Sequence, residues 1–336
     1  MEGFKIYNSK SIEKLIASRK GEIKFGEKVL FLNDLGELPT SKAKYVLFGI
    51  PEDIGVRANY GKEGAAKAWK ATLKALLNIQ ANLYTRPENL ILLGEVDCDA
   101  LMQKASNLDQ EDPNYFIKMG ELVSRLDTIV SQIVQKIIAA GKIPIIIGGG
   151  HNNAYGNIKG AFNALEKPLN ILNIDAHTDL RIPDHRHSGN GFSFARKEKI
   201  MGKYRVFGVH QNYTPEYIFE NMNKSASDSF RLFEHLILKS SEKIKNAFLE
   251  ELEMVAHDEF GLELDCDAIK DFSSSAQSPT GLPINMVRNF VWMASEEEKI
   301  KYFHICEAAA NETNEVQVGK SISYLITDFI TAESYG

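Results

Sequence analysis

The chain has 336 residues, of which 44% are hydrophobic and 25% are charged, and its formal net charge is −6. These proportions are typical of a globular protein with a sizeable core, and the acidic balance argues against nucleic acid as a partner. The three cysteines lack the spacing of a disulfide framework or a thiolate metal site, and no apolar stretch approaches the length of a membrane span. We therefore expect a cytoplasmic protein that does not bind membranes.

Eight short apolar runs along the chain are predicted to be strands, at 45–50, 90–96, 143–148, 169–174, 204–209, 230–233, 261–264 and 302–306. Most have too many Ile, Val, Leu and Phe residues for strands that are buried on one face only. Such runs are typical of a parallel sheet covered by helices on both faces. Helical patterns lie between them, at 64–79, 116–140, 153–165, 241–256 and 320–331. The alternation predicts a three-layer α/β/α sandwich in a single domain, 1–336, with 210–235 left unassigned.

Ionisable residues follow three of these runs. The carboxyl ends of parallel strands meet at one edge of a sheet, and alternate residues of an extended chain point the same way. We therefore expect six side chains to converge at that edge. They are His151, Asp175, His177, Asp179, Asp265 and Asp267.

Four carboxylates and two imidazoles cannot share a small volume without positive charge, because like charges raise one another's pKa strongly. Two divalent cations would balance the four carboxylates. Oxygen-rich ligation with some imidazole and no thiolate favours manganese ahead of zinc, with magnesium and calcium less suited to the histidines. Two such ions, about 3.5–4 Å apart, hold a water as hydroxide near neutral pH. The sequence therefore predicts two Mn²⁺ per subunit.

Two other interpretations compete with the metal site. A single histidine or aspartate after a strand is more often a turn or cap than a ligand, but three such clusters together favour metal binding. A dinucleotide site is the sharper alternative, because a strand, three glycines, a helix, a second strand and then Asp175 imitate its layout. That fingerprint, however, requires glycine at Asn153, and it leaves His177 and Asp179 without a role.

The motifs around these residues resemble those of the ureohydrolase family, which includes arginases, agmatinases and formimidoylglutamases. Its three metal-binding signatures are similar to GGGH (148–151), DAHTD (175–179) and ELDCDAIKDFSSSAQSPTG (263–281). The resemblance extends to GIPEDIGVRANYG (49–61) and LGEVD (93–97), and so covers most of the chain. It implies a sandwich around an eight-stranded, mostly parallel sheet, which agrees with the eight runs.

The resemblance also implies which residues hold which ion, with two aspartates bridging both. The ligands of one ion would be His151, Asp175, Asp179 and Asp265, and those of the other Asp175, His177, Asp265 and Asp267. Family chemistry implies attack of a hydroxide on the planar carbon of a guanidinium or amidinium group, and Asp179 would relay a proton to the leaving nitrogen. Glu307, after the last run, would pair with the cationic carbon–nitrogen group of the substrate.

The loop RHSGNGFSFA separates the subfamilies. Ser188 and Asn190 resemble the residues that hold an amino-acid carboxylate, whereas Phe192 stands where arginases carry a proton-shuttle histidine. Phenylalanine cannot transfer a proton, so arginase is disfavoured unless His185 or His187 substitutes. His187 is therefore a candidate catalytic residue beside Asp179 and Glu307. The pattern looks more like formimidoylglutamases, which split N-formimidoyl-L-glutamate into glutamate and formamide in histidine breakdown.

That substrate has two carboxylates, and Arg57, Arg181 and Arg186 are candidate partners for them. Each arginine alone is more often structural. After Glu307, AAAN replaces the proline usual in the family. The alternatives are an arginase, an agmatinase or another guanidino-acid hydrolase, or a metal-binding homologue that has lost turnover. Oligomers are common in the family, so a homo-oligomer is expected.

Overall fold

The computed structural model describes residues 2–331. Within them, nine strands form one sheet. The strands are β1 (Phe4–Ile6), β2 (Tyr45–Gly49), β3 (Leu90–Val96), β4 (Ile143–Ile147), β5 (Leu169–Ile174), β6 (Met201–Val209), β7 (Asp228–Leu232), β8 (Phe260–Asp265) and β9 (Ile300–Cys306). Their order across the sheet is β1-β3-β2-β4-β9-β8-β5-β6-β7. All neighbours are parallel except β1, which pairs antiparallel with β3.

Helices cover both faces of this sheet. They are α1 (Ser9–Ile12), α2 (Ile54–Ala58), α3 (Ala68–Leu76), α4 (Asp99–Ser106), α5 (Tyr115–Ala139), α6 (Asn153–Leu165), α7 (Gly191–Lys197), α8 (Glu216–Lys224), α9 (Phe233–Leu236), α10 (Ser241–Ala256), α11 (Ile284–Ser295) and α12 (Glu315–Thr331). The helices α3, α10, α11 and α12 pack on one face, and α2, α5, α6, α7 and α8 on the other. The predicted three-layer α/β/α architecture is confirmed.

Alternate residues of the central strands enter the two different hydrophobic cores. On β2, Val46 and Phe48 belong to the core with α5 and α6, whereas Leu47 belongs to the core with α3 and α12. On β4, Ile146 and Ile147 divide in the same way. Both faces of these strands are therefore buried away from solvent, and for this reason their sequences are unbroken apolar runs.

The sheet has one strand more than the eight predicted. The addition is β1, an edge strand whose three residues pair with Gly94–Val96 of β3. Only Phe4 of β1 is buried, so its sequence carries no apolar run. It is a strand because the backbone of β3 offers free hydrogen-bonding groups at that edge, which no local pattern shows.

Three of the five predicted helices agree closely with the structure, whereas α3 is shorter than the predicted 64–79 and α12 begins five residues before the predicted 320. Both α6 and α10 have the predicted bounds, and α5 begins and ends one residue earlier than predicted, followed by Gly141 with a φ of 71°. The segment 210–235, unassigned apart from the predicted strand at 230–233, holds α8 and β7. No helix within residues 2–331 combines the length and hydropathy that crossing a bilayer requires. The single-domain prediction, 1–336, extends beyond the described residues at both ends.

Candidate metal centre

The six predicted ligands lie at the carboxyl ends of strands that are neighbours in the middle of the sheet. The order β4-β9-β8-β5 places four strand ends side by side. His151 follows β4, and the Asp-x-His-x-Asp motif follows β5 directly. Asp265 is the last residue of β8, and Glu307 follows β9. The parallel topology therefore brings residues together that lie up to 156 positions apart along the chain.

The first group of donors surrounds one nitrogen of His151. Its Nδ1 lies 2.9 Å from Asp179 Oδ2, 3.2 Å from Asp175 Oδ2 and 3.3 Å from Asp265 Oδ2. One ligand atom from each of these four residues lies within 4.8 Å of the others. This is the first ligand set implied by the family resemblance.

The second group adjoins the first. Donor atoms of His177, Asp265 and Asp267 lie within 4.8 Å of one another. The Nδ1 atom of His177 is also 3.5 Å from Oδ1 of Asp175. Asp175 and Asp265 therefore stand between the two groups, as expected for bridging carboxylates.

Local hydrogen bonds orient these carboxylates. Asp175 Oδ1 accepts from the backbone N–H of His177, and Asp265 Oδ1 accepts from that of Asp267, both at 2.7 Å. These turns leave the Oδ2 atoms of both aspartates facing the cluster. Asp179 adopts a left-handed backbone conformation, with a φ of 49°. Such strain in a residue other than glycine is typical of functional sites.

The electrostatics of the cluster fit a pair of divalent cations. Burial, and then the charges of Asp267 and Asp175, raise the pKa of Asp265, and burial together with Asp175 raises that of Asp179. Carboxylate oxygens crowd the fully buried ring of His151, but within residues 2–331 none of them has hydrogen-bond geometry to either ring nitrogen. Mutually repelling carboxylates beside unpartnered imidazole nitrogens are a donor set that a divalent transition ion would satisfy.

A thiol also lies close to the first group. Sγ of Cys306 is within 4.8 Å of donor atoms of His151 and Asp265. Burial raises the pKa of this thiol well above its ordinary value, and it donates a 3.6 Å hydrogen bond to the carbonyl of Leu264. The backbone carbonyl of Leu264 thus holds this thiol beside the first group.

A cavity of about 390 Å³ opens onto the second group. Glu307 lies in its wall with only 3% of its surface exposed. Its Oε1 accepts a 2.7 Å hydrogen bond from the backbone N–H of His151, and its Oε2 is buried with no partner within the described residues. The remaining polar or charged lining residues include Asn59, Lys62, His177, Thr178, Asp179, Arg181, Ser188, Tyr213, Asp265, Asp267 and Ser275.

A model of the arginase family matches residues 43–315 of this chain. The chain belongs to the arginase family. It is 29% identical over 289 residues to formimidoylglutamase of Geobacillus sp. (strain WCH70), covering 82% of this chain and 80% of that relative. It is 27% identical over 250 residues to formimidoylglutamase of Streptococcus gordonii, covering 71% and 69%. These matches confirm the predicted family and the predicted class of enzyme, a hydrolase of carbon–nitrogen bonds in linear amidines.

Solved structures show the same fold. Formimidoylglutamase from Bacillus subtilis superposes with a TM-score of 0.73 at 15% identity, covering 95% of this chain and 94% of the other. Formiminoglutamase from Trypanosoma cruzi, solved with two Mn²⁺, gives a TM-score of 0.72 at 17% identity, covering 94% and 99%. At these identities the likeness establishes the arginase-family architecture.

Of the predicted substrate contacts, Ser188 lines the cavity, and its hydroxyl accepts a 3.1 Å hydrogen bond from Asn59. Asn190 is turned inward, where its side-chain oxygen accepts from Arg186 at 3.0 Å and from the backbone of His187 at 3.1 Å. In this structure Asn190 supports the loop, and its contact with a substrate carboxylate stays a prediction.

Three further predicted site residues are not part of the cavity lining, and their polar groups are engaged elsewhere. Arg186 is buried in an ion pair with Asp127, 2.8 Å apart. Arg57 pairs with Asp53 at 3.1 Å. His187, proposed as a substitute proton shuttle, is buried, and its Nδ1 accepts from the backbone of Gly189 at 3.1 Å. These three residues stabilise the loops behind the cavity wall.

Lys62 and Tyr213 are polar lining residues that lie outside the motifs quoted in the sequence analysis. Lys62 lies one position beyond the segment 49–61 that resembles the family. Its closeness to that segment was the one feature of the sequence that could have pointed to the cavity. Tyr213 lies in the segment 210–235, which had no assignment, and its ring centroid is 5.6 Å from that of His177. Neither position has a charge or spacing pattern that predicts exposure to a cavity.

Proposed function

We propose that this chain is a binuclear manganese hydrolase that cleaves N-formimidoyl-L-glutamate to L-glutamate and formamide. The observation that carries the proposal is the convergence of six metal-type donors, four of which line one cavity together with Glu307. The two relatives named formimidoylglutamase support this substrate over others of the family.

The two donor groups divide between two ions. His151, Asp175, Asp179 and Asp265 would hold one, and Asp175, His177, Asp265 and Asp267 the other. The Mn²⁺ pair in the Trypanosoma cruzi structure supports the choice of metal. When bound, such a pair supplies hydroxide near neutral pH and positive charge beside the reacting carbon.

Glu307 is suited to binding the amidinium group of the substrate. The bond from the His151 backbone fixes one carboxylate oxygen, and the other has no partner among the described residues. A planar amidinium presents N–H donors that a fixed carboxylate accepts strongly. Because Glu307 is oriented before the substrate arrives, little freedom is lost when the cation docks.

Asp179 is the proposed proton carrier. In this hydrolysis, water adds to the amidine carbon, and the bond from that carbon to the glutamate nitrogen breaks. The amidinium already carries the two hydrogens of the formamide NH2 group, so both protons of the water pass to the leaving nitrogen and glutamate departs with an ammonium group. The first of them must arrive before the carbon–nitrogen bond breaks. The carboxylate of Asp179 lies in the cavity wall, 2.9 Å from His151, and can accept this proton and deliver it.

Two cations at the cavity support a substrate with two carboxylates. Lys62 and Arg181 both line the cavity and are exposed. Formimidoylglutamate offers one amidinium to the acidic floor and two carboxylates to these cations. Agmatine, by contrast, has no carboxylate and would bring a second positive charge towards them. The charge pattern therefore favours the dicarboxylate.

The experiment is a substrate panel on manganese-loaded protein. Formimidoylglutamate, arginine and agmatine are compared, with release of formamide and of urea measured separately. We expect kcat/KM to be highest for the release of formamide from formimidoylglutamate. This activity should be lost in Asp179→Ala. Asp184→Ala, which removes an exposed aspartate outside the cavity lining, is the matched control and should retain activity. Urea release without formamide release would contradict the proposed substrate.

A catalytically impaired metal-binding homologue is the second candidate. The observation that favours it is Phe192, whose fully buried ring lies 5.1 Å from that of His151 and cannot carry a proton. Stoichiometric metal binding with no hydrolysis of the three compounds would support this candidate instead.

A further inference from the structure

A second set of ionisable side chains is buried next to the metal centre. Glu263 lies on β8 two residues before Asp265 and has no exposed surface. The hydroxyl of Tyr302, on the adjacent strand β9, donates to its Oε1 at 2.6 Å. Nδ1 of His304, also on β9 and paired in register with Glu263, lies 2.5 Å from Oε2. Both carboxylate oxygens are therefore held by β9.

Gly261 makes room for this network. It pairs with Tyr302 across the two strands, and a Cβ atom at position 261 would lie 2.3 Å from Cζ of the tyrosine ring. The ring can thus lie across β8 and direct its hydroxyl at Glu263 only because residue 261 has no side chain.

The network also reaches the loop that carries His151. Nε2 of His304 is 3.4 Å from the carbonyl oxygen of Gly148, the first residue after β4. Both contacts are with acceptors and a neutral ring has one N–H, so the 2.5 Å contact with Glu263 is the one that orients His304. Its position in turn fixes the orientation of the Glu263 carboxylate.

Glu263 faces the ring of the metal ligand His151 from the side opposite the metal centre. Oε2 of Glu263 is 3.5 Å from Nε2 of His151, whereas Nδ1 faces Asp175, Asp179 and Asp265. A neutral imidazole binds a metal ion through the nitrogen that carries no proton, so the other nitrogen must keep it. Metal-binding histidines almost always direct that N–H at a carboxylate, a carbonyl or water.

We propose that Glu263, oriented by Tyr302 and His304, is a positioning residue that holds His151 in the tautomer presenting Nδ1 to the metal ion. The inference rests on the proposed function, because it requires an ion bound at His151. Removing Glu263 would take away the carboxylate that lies 3.5 Å from Nε2 of the buried His151 ring, and the tautomer needed for binding would be disfavoured.

The test is Mn²⁺ binding to Glu263→Gln, measured by competition with a chelator on the full chain. The amide carries no negative charge, so we expect the ion at His151 to bind roughly 10- to 100-fold more weakly. Tyr302→Phe, which frees one oxygen of Glu263, should weaken binding in the same direction but less. The matched control is Glu251→Gln, because Glu251 is an equally buried carboxylate bonded to Arg231 and Ser229.

A spectroscopic measurement separates positioning from general destabilisation. In ¹⁵N-histidine-labelled protein loaded with diamagnetic Zn²⁺, the His151 resonance should show a protonated Nε2 in the wild type, and this signal should change in Glu263→Gln but not in Glu251→Gln.

Wild-type affinity in Glu263→Gln, or an equal loss in Glu251→Gln, would overturn the inference while leaving the proposed function standing. If Glu263→Gln does not fold, wild-type Mn²⁺ affinity in Tyr302→Phe would likewise overturn the inference. Failure of the wild-type chain to bind any ion would overturn both.

Discussion

Replacing Arg186 with methionine distinguishes a residue that supports the fold from one that contacts the substrate. Its guanidinium binds both carboxylate oxygens of Asp127 on α5, at 2.8 and 3.1 Å. It also donates to the side chain of Asn190 at 3.0 Å and to the backbone carbonyl of Asn152 at 2.9 Å. Arg186 therefore connects α5 with the loop next to His151 and with the loop that precedes α7.

The expected magnitude follows from the burial of both partners, each about 5% exposed. Removing one member of a buried ion pair leaves the other charge uncompensated, which costs about 3–5 kcal/mol. Methionine conserves much of the apolar volume between the rings of Tyr155 and Phe194, each 4.9 Å from the guanidinium carbon. An unfolding entropy of about 2.1 cal/mol/K per residue over 336 residues is about 0.7 kcal/mol/K, so we expect Tm to fall by about 4–7 °C.

The assay is thermal unfolding of the metal-free protein, together with KM of the manganese-loaded enzyme. Arg186→Met combined with Asp127→Leu should recover most of the lost stability, because no unpaired charge remains. Arg181→Met is the control on the exposed cavity rim, where Tm should stay within about 1 °C while KM rises. A normal Tm with a raised KM in Arg186→Met would refute the structural role and restore the substrate contact.

Three further perturbations have expected outcomes. Lys62→Met should raise KM for formimidoylglutamate by roughly tenfold with little change in Tm, since one charged hydrogen bond contributes about 1.5 kcal/mol; an unchanged KM would remove Lys62 from the substrate site. Gly49→Ala should lower Tm in a melting experiment, because the new Cβ would lie 2.2 Å from the ring of Trp69 and overpacking costs about 1–3 kcal/mol; a wild-type Tm would mean that α3 yields at this contact. Burial, and then the charge of His185, lower the pKa of His187 from 6.5 to about 4. Between pH 6.5 and 4 the unfolded chain therefore binds more protons at His187 than the folded protein does. The free energy of unfolding falls accordingly as the pH falls through that window. His187→Gln should accordingly show a smaller drop in Tm from pH 7 to pH 5 than the wild type, and an equal drop would contradict the assignment.

The strands and the metal-type donors could be predicted because their signals are local. A strand buried on both faces reads as a continuous apolar run, and the motif DAHTD carries its own two-residue alternation. The parallel order of β4, β9, β8 and β5 then brings the strand ends together, so placing the donors needed only the fold class. Single-domain organisation, homo-oligomeric assembly and cytoplasmic location stay predictions.

The roles of the polar residues around the donors could not be predicted in the same way. Arg57, Arg186 and His187 have the chemistry of substrate contacts, but ion pairs and backbone hydrogen bonds hold them behind the cavity wall. Whether a cation meets a ligand or a neighbouring carboxylate depends on which of them lies nearer in three dimensions. Lys62 shows the converse case, because only the fold exposes it to the cavity.

The sequence by itself determined the layered architecture, the family and the set of donors, since each depends on residues within one strand and the turn that follows it. The tertiary structure alone decided the ninth strand and the pairs that support the site. Phe4–Ile6 is a strand only beside β3, Arg186 meets Asp127 across 59 positions, and Glu263 meets His304 across 41. Such contacts depend on distances between elements remote in the chain, and a local pattern carries no information about those distances.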